Sequence, residues 1–206
     1  MLTPVRSNDL IPSIRAQNIK YLLPEELERL TKAFEDAFEQ APLNLRKARG
    51  RHLAMFYLLR NTGARLGEAV QVDDVRDIDW RNQSVRLVTL KQKQKTFRTV
   101  PIPSSVLAFW GRLLAEFPSL RGKLFRMSKR NFNYAFSQRC KEAGIPEDLS
   151  HPHVLRHTYA IMLTRSGVPL AMVQKILGHR YLSSTSVYLQ FSDVEVRQVL
   201  EHKGFL

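Results

Sequence analysis

A single cysteine, Cys140, stands in 206 residues. The chain therefore builds no internal disulfide and no cysteine metal cluster, and a buried structural thiol is the expected use of this one. Acidic residues are also scarce: 19 Asp and Glu face 32 Lys and Arg, for a formal charge of +13 and a pI ≈ 10.2. That balance favours a polyanionic partner, with nucleic acid the simplest candidate. No apolar run approaches the roughly 18 residues of a membrane-spanning helix, and no signal-peptide pattern opens the chain. No membrane role is expected, and a cytoplasmic location is. An ATP-binding motif, a His-Glu-x-x-His pair and an acidic metal cluster are all missing.

The length is that of one domain with a proper core. Residues 1–20 carry Pro4, Pro12, Arg6, Arg15 and Lys20 with little apolar periodicity, and are expected as an extended basic arm, either lying along a partner or fraying. From Pro24 to about Gln40, Leu27, Leu30, Phe34, Ala37 and Phe38 recur at helical spacing, with Glu25 and Glu26 at the positive end of the helix dipole. Leu23 stands where a capping hydroxyl would serve. A second helix is expected from about Lys47 to Asn61, ended by Gly63. The one clear β region spans residues 78–102. There Val85, Leu87, Val88 and Leu90 precede a tip crowded with Lys91, Lys93 and Lys95, and Phe97, Val100 and Ile102 follow it, which is a hairpin pattern. Ser104 and Ser128 read as caps of the next two helices. The second of these carries Lys129 and Arg130 in its first turn and Phe132, Ala135, Phe136 and Cys140 on an inner face. The predicted class is α+β, mostly helical with a small antiparallel sheet.

The stretch from His151 to Tyr188 carries the chemistry. His153 and Arg156 lie three apart, a spacing that puts both on one face of a helix. Gly167 and Pro169 mark a stop and a restart, and a short helix ends at Gly178, so that His179 sits just beyond a helix terminus. His179 follows Arg156 by 23 residues and precedes Tyr188 by nine. Together with the phrases Thr62-Gly-Ala-Arg-Leu-Gly-Glu68 and GVPLAMVQKILGH, this pattern resembles the tyrosine recombinase and phage integrase family, the group of Cre, lambda integrase and the Xer proteins. Its signature is His-x-x-Arg, then Leu-Gly-His, then a tyrosine nine residues on.

The resemblance implies that fold and a metal-free, cofactor-free DNA strand exchange through a 3′-phosphotyrosyl link. It maps the first catalytic arginine onto Arg65 and a supporting carboxylate onto Glu68. It selects Lys93, eight residues before Pro101, as the hairpin lysine; a slipped register hands that role to Lys91 or Lys95, and the lysines not chosen contact backbone phosphates. Lys129 and Arg130 would meet the major groove, or else form a solvated basic turn. Attack on a phosphodiester piles charge onto the equatorial oxygens, which suits the bidentate, permanently charged guanidiniums of Arg65 and Arg156. Tyr188 is the candidate nucleophile, His153 its proton acceptor, Lys93 the acid for the leaving 5′-oxygen and His179 a hydrogen-bond donor to the phosphate.

Larger family members carry a separate clamp domain. Residues 21–206 are therefore expected as a catalytic domain, either that of a small single-domain recombinase, like the fimbrial inversion enzymes and plasmid resolvases, or a fragment of a longer chain. Residues 193–206 read as a terminal helix whose apolar side docks on a neighbouring protomer or folds back on its own domain. The expected partners are double-stranded DNA and three further copies, as a homotetramer on two DNA sites with a monomer or weak oligomer in solution; the need for an accessory protein stays open. A type IB-like nicking-closing enzyme and a non-cutting DNA-binding regulator are the alternatives.

Overall fold

The computed structural model describes residues 19–89, 96–179 and Thr185. The chain order begins with helices α1 (Pro24–Glu39), α2 (Leu43–Thr62) and the single turn α3 (Leu66–Ala69). Strands β1 (Ile78–Asp79), β2 (Ser84–Thr89) and β3 (Thr96–Pro101) follow, and then helices α4 (Ser104–Glu116), α5 (Lys129–Glu142), α6 (His153–Arg165) and α7 (Leu170–Leu177). The strands form one antiparallel sheet in the order β1-β2-β3, with Ile78 opposite Val85 and Val85 opposite Val100. This is the mostly helical α+β class that the sequence predicts. The basic arm up to residue 18, the hairpin tip with Leu90, Lys91, Lys93 and Lys95, and the terminal segment 193–206 lie outside the described residues.

α2 is the central helix. Leu53, Ala54, Met55, Phe56, Leu58 and Leu59 are all buried along it, and apolar burial on successive positions means neighbours on every side. Its Phe56 stacks on Phe34 of α1 with centroids 4.3 Å apart, and Phe132 and Phe136 of α5 close the cluster around Phe34 at 6.3 and 6.0 Å. Burying four such rings contributes on the order of 2–3 kcal/mol each to the apolar driving force. Cys140 lies fully buried beside them, and loss of hydration pushes its thiol up to about 11, which keeps it protonated and inert.

Several boundaries differ from the sequence reading, each for a physical reason. α2 begins at Leu43 rather than near Lys47, because its first turns are exposed (Leu43 is 89% exposed) and show no burial periodicity. Arg46 holds that turn instead, by an ion pair to Glu116 at 2.6 Å and by lying 4.3 Å over the Phe38 ring. Ser104 is the first residue of α4 and makes no cap bond; Pro103, extended at ψ 140°, is the N-cap. Ser128 does cap α5, accepting from the Asn131 N–H at 3.1 Å. Leu23 has no hydroxyl to offer α1, and only the reciprocal half of a capping box forms there, the Leu23 N–H donating to Glu26 Oε2 at 2.7 Å.

α6 packs against α2 and α7. The C-terminal end of α2, the first turn of α6 and the C-terminal end of α7 thereby meet in one region, and β3 runs alongside it.

Candidate active site

Two helix ends, at Gly63 and Gly178, build this region. α2 stops at Gly63, whose φ of +60° is left-handed, and a β-carbon there would approach Leu177 Cδ2 to 2.7 Å and Tyr159 Cδ1 to 2.8 Å. The chain then turns back at once and delivers Arg65 to the N-cap of α3. Glu68, fully buried, holds Arg65 twice: Oε2 accepts its backbone N–H at 3.1 Å and Oε1 accepts Nη1 at 3.0 Å. The Arg65 side chain keeps 20% of its surface, so the guanidinium is anchored from below and open above.

Glu68 has a second cation. Arg98 of β3 donates from Nη2 to Glu68 Oε2 at 2.7 Å, from Nε to the Ile176 carbonyl at 2.8 Å and from Nη1 to Thr89 Oγ1 at 3.2 Å. Burial works against ionisation of Glu68, but the bond and charge of Arg98 and then those of Arg65 outweigh it and hold the carboxyl below its ordinary range.

Arg156, in the first turn of α6, is 2% exposed. Its Nη1 donates to the Gly63 carbonyl at 2.7 Å and its Nη2 to the Leu177 carbonyl at 2.9 Å, so it staples the end of α2 to the end of α7. Arg98 and Arg156 together take the carbonyls of Ile176 and Leu177. These groups have no partner within their own helix, and cations there also suit the negative end of the dipole.

His179 emerges from that doubly held terminus. Gly178 turns the chain at φ +67°, after which the His179 N–H donates to the Gln174 carbonyl at 3.1 Å and the Gln174 side chain returns a 3.3 Å bond to the His179 carbonyl. Its ring Nδ1 lies 2.7 Å from Oγ1 of the fully buried Thr185. Burial first, and then the charges of Arg156, Arg65 and Arg98, push the His179 pKa down to about 4. Across the site, His153 meets His157 edge-on with ring centroids 4.8 Å apart. Loss of hydration on burial, then the charges of His157, Arg156, Arg65 and His151, bring its pKa to about 4 as well. Both imidazoles are neutral at pH 7 in a strongly positive field.

The structure thus brings together Arg65, Glu68, His153, Arg156 and His179. Tyr188 and Lys93, with Lys91 and Lys95, lie outside the described residues. Lys129 and Arg130 are exposed in the first turn of α5. Among the described residues no group of His, Cys, Asp and Glu is arranged to hold a metal ion.

Sequence reasoning missed two members. Arg98 was within reach, since stepping back by twos from the inward Ile102 and Val100 lands on it, while Phe97, taken as part of the apolar pattern, points out at 57% exposure. Thr185 carries no local signal in the sequence that would pair its hydroxyl with His179.

A helical domain with one small antiparallel sheet and this cluster of arginines and histidines is found in known proteins. The model of the phage integrase family matches residues 20–195, and the chain belongs to that family. It is 33% identical over 195 residues to tyrosine recombinase XerC 1 of Ralstonia nicotianae, an alignment that covers 80% of this chain and 58% of that protein. The crystal structure of XerA recombinase superposes with a TM-score of 0.69 at 26% identity, over 89% of this chain and 64% of that one. XerH site-specific recombinase bound to its difH substrate, in a pre-cleavage complex, gives 0.69 at 22% identity over 88% and 53%, a likeness of fold alone. The chain spans less than two thirds of the length of each of these three relatives.

Proposed function

We propose that this chain is the catalytic part of a site-specific DNA recombinase that cuts and rejoins duplex DNA through a 3′-phosphotyrosyl intermediate. The observation that carries the reading is the positive field around two neutral imidazoles: Arg65, Arg98 and Arg156 act on His179, and Arg65 and Arg156 on His153. Such a field favours an anion that gains charge in the transition state. XerH, with the same fold, is seen on its DNA substrate, and the net charge of +13 suits a duplex partner.

In this reading the Tyr188 hydroxyl attacks phosphorus and the 5′-oxygen leaves. Arg65, anchored below by Glu68 and open above, neutralises the equatorial oxygens, and Arg156 adds a fixed charge beneath them. His153 accepts the tyrosine proton; its low pKa keeps the ring unprotonated at pH 7 and so able to take it. His179 donates to the phosphate, its ring oriented by Thr185. Lys93 returns a proton to the 5′-oxygen. The phosphotyrosyl bond keeps the energy of the broken one, so resealing needs no ATP, and the guanidiniums supply the charge that a metal would otherwise bring. Lys91 and Lys95 contact backbone phosphates, and Lys129 and Arg130 enter the major groove. Residues 1–20 serve as an arm and 21–206 as the catalytic domain. Four copies act on two DNA sites, joined through residues 193–206, and the work is done in the cytoplasm.

The test is covalent trapping. Duplex sites selected from a genomic library by binding are nicked beside the cleavage position, so that the cut end diffuses away and religation fails. The wild-type chain is expected to form an adduct that survives denaturation and maps to Tyr188, and Tyr188→Phe to bind equally and form none. An adduct on another residue overturns the site. Specific binding with no adduct on any selected DNA leaves a non-cutting regulator, and relaxation of supercoils without recombinant product leaves a nicking-closing enzyme.

A further inference from the structure

Arg98 is 6% exposed at its side chain, and its three donor nitrogens go to three different elements. Nη2 bonds Glu68 of α3 at 2.7 Å, Nε bonds the Ile176 carbonyl of α7 at 2.8 Å and Nη1 bonds Thr89 at the end of β2 at 3.2 Å. Through Glu68 it reaches Arg65; through Ile176 it reaches the turn that presents His179; through Thr89 it closes the base of the hairpin whose tip holds the candidate lysines. Room for it is reserved at Gly178, where a β-carbon would stand 2.9 Å from Arg98 Nη1 and 3.2 Å from Cδ and Cζ. An aliphatic side chain at this inward position would extend the Val100–Ile102 stripe without the desolvation cost of a buried cation, so the sheet alone has no need of arginine here.

We propose that Arg98 is a positioning residue for strand cleavage, a buried fork that holds the Arg65 loop, the hairpin base and the His179 turn in one fixed arrangement. The inference rests on the recombinase reading above, and it adds a residue that acts on the reaction only through others. It makes no phosphate contact, because it has no surface from which to make one. A lysine cannot replace it: one nitrogen on a flexible stem does not reach three acceptors that a planar guanidinium meets at once.

Arg98→Lys and Arg98→Met in the full chain test this. Four quantities are read: the melting curve, affinity for duplex DNA, the single-turnover rate on the nicked substrate, and the ring ¹⁵N resonances of His179 in the DNA-free protein, assigned with His179→Gln. Both variants are expected to bind duplex within about twofold of wild type, since no phosphate contact is lost. Cleavage is expected to fall on the order of 10²-fold, as for a reacting group displaced by about an ångström, in the charge-retaining lysine variant as well. The His179 resonances are expected to move in the same two variants as the Nδ1–Thr185 bond is disturbed. Wild-type cleavage by Arg98→Lys overturns the proposal. So does a loss of cleavage in both variants that merely tracks the folded fraction, which would make Arg98 a structural residue only. If the wild type forms no adduct, the recombinase reading fails separately: moved His179 resonances then still support the fork, and unmoved ones overturn it.

Discussion

Replacing Glu68 by glutamine tests whether the site is built on one buried carboxylate. Glu68 is fully buried and accepts from the Arg65 N–H, Arg65 Nη1 and Arg98 Nη2 at 3.1, 3.0 and 2.7 Å. Glutamine keeps the volume and one carbonyl oxygen, which can serve the two donors that now share Oε2. Its amide must then face Arg65 Nη1, donor against donor, and Arg98 loses its counter-charge. A hydrogen bond to a charged group contributes about 1.5–3 kcal/mol, and breaking a buried pair costs about 3–5 kcal/mol; with part of the bonding kept, the expected loss is about 2–4 kcal/mol. For a chain of this size that lowers the melting temperature by roughly 5–15 °C. Urea and thermal unfolding of both proteins, followed by circular dichroism, measure it. Because the folded-state pKa of Glu68 is lowered, its stabilisation is present above the unfolded value and is lost as pH falls through the folded one. The gap between wild type and Glu68→Gln is therefore expected to be full at pH 7 and to close in the acid range, below about pH 4. A gap under about 0.5 kcal/mol at pH 7, the scatter of an ordinary surface change, or one that persists unchanged into acid, refutes the argument.

Other outcomes follow from the same geometry. His153 and His179 are held at about 4 against an ordinary 6.5; the unfolded chain takes up protons that the folded one refuses, so stability is present above pH 6.5 and is lost as pH falls toward 4. Ring NMR titration is expected to show both low midpoints, and added duplex DNA to raise them, since a phosphate favours the charged imidazole. Gly178→Ala puts a β-carbon against Arg98 at a left-handed φ, and is expected to destabilise by about 1–2 kcal/mol and to lower cleavage more than binding. Lys93→Ala is expected to slow cleavage by roughly 10²–10⁴-fold and to be rescued by a 5′-bridging sulfur substrate, whose leaving group needs little protonation; rescue of Lys91→Ala or Lys95→Ala instead would move the acid to that residue. Deleting residues 193–206 is expected to reduce recombination more than DNA binding, and normal recombination by the shortened chain would remove that segment from assembly.

Local chemistry made much of the fold legible in advance. Pro24 opens α1, Gly63 closes α2, Gly178 closes α7, and Ser128 caps α5, because a fixed φ, a left-handed turn and a side-chain acceptor each act within one to three residues. The buried faces of α1 and α5 follow the 3.6-residue period. Where burial was absent, as over the first turn of α2, the period had nothing to report and the boundary was missed. The phrases and spacings around Arg65, His153, Arg156, His179 and Tyr188, through their resemblance to a known family, were enough to set the class of protein.

The way those side chains are held belongs to the tertiary structure. Arg156 binds carbonyls of Gly63 and Leu177, 93 and 21 residues away, and Arg98 reaches Glu68 across 30 residues and Ile176 across 78. Backbone carbonyls look alike in any sequence, so only the meeting of helix ends in space makes two of them a seat for a guanidinium. Which arginine is buried, which stays open to a ligand, and how far the histidines are driven from their ordinary pKa depend on distances and on exclusion of water. Those quantities exist only once the chain has closed around its central helix.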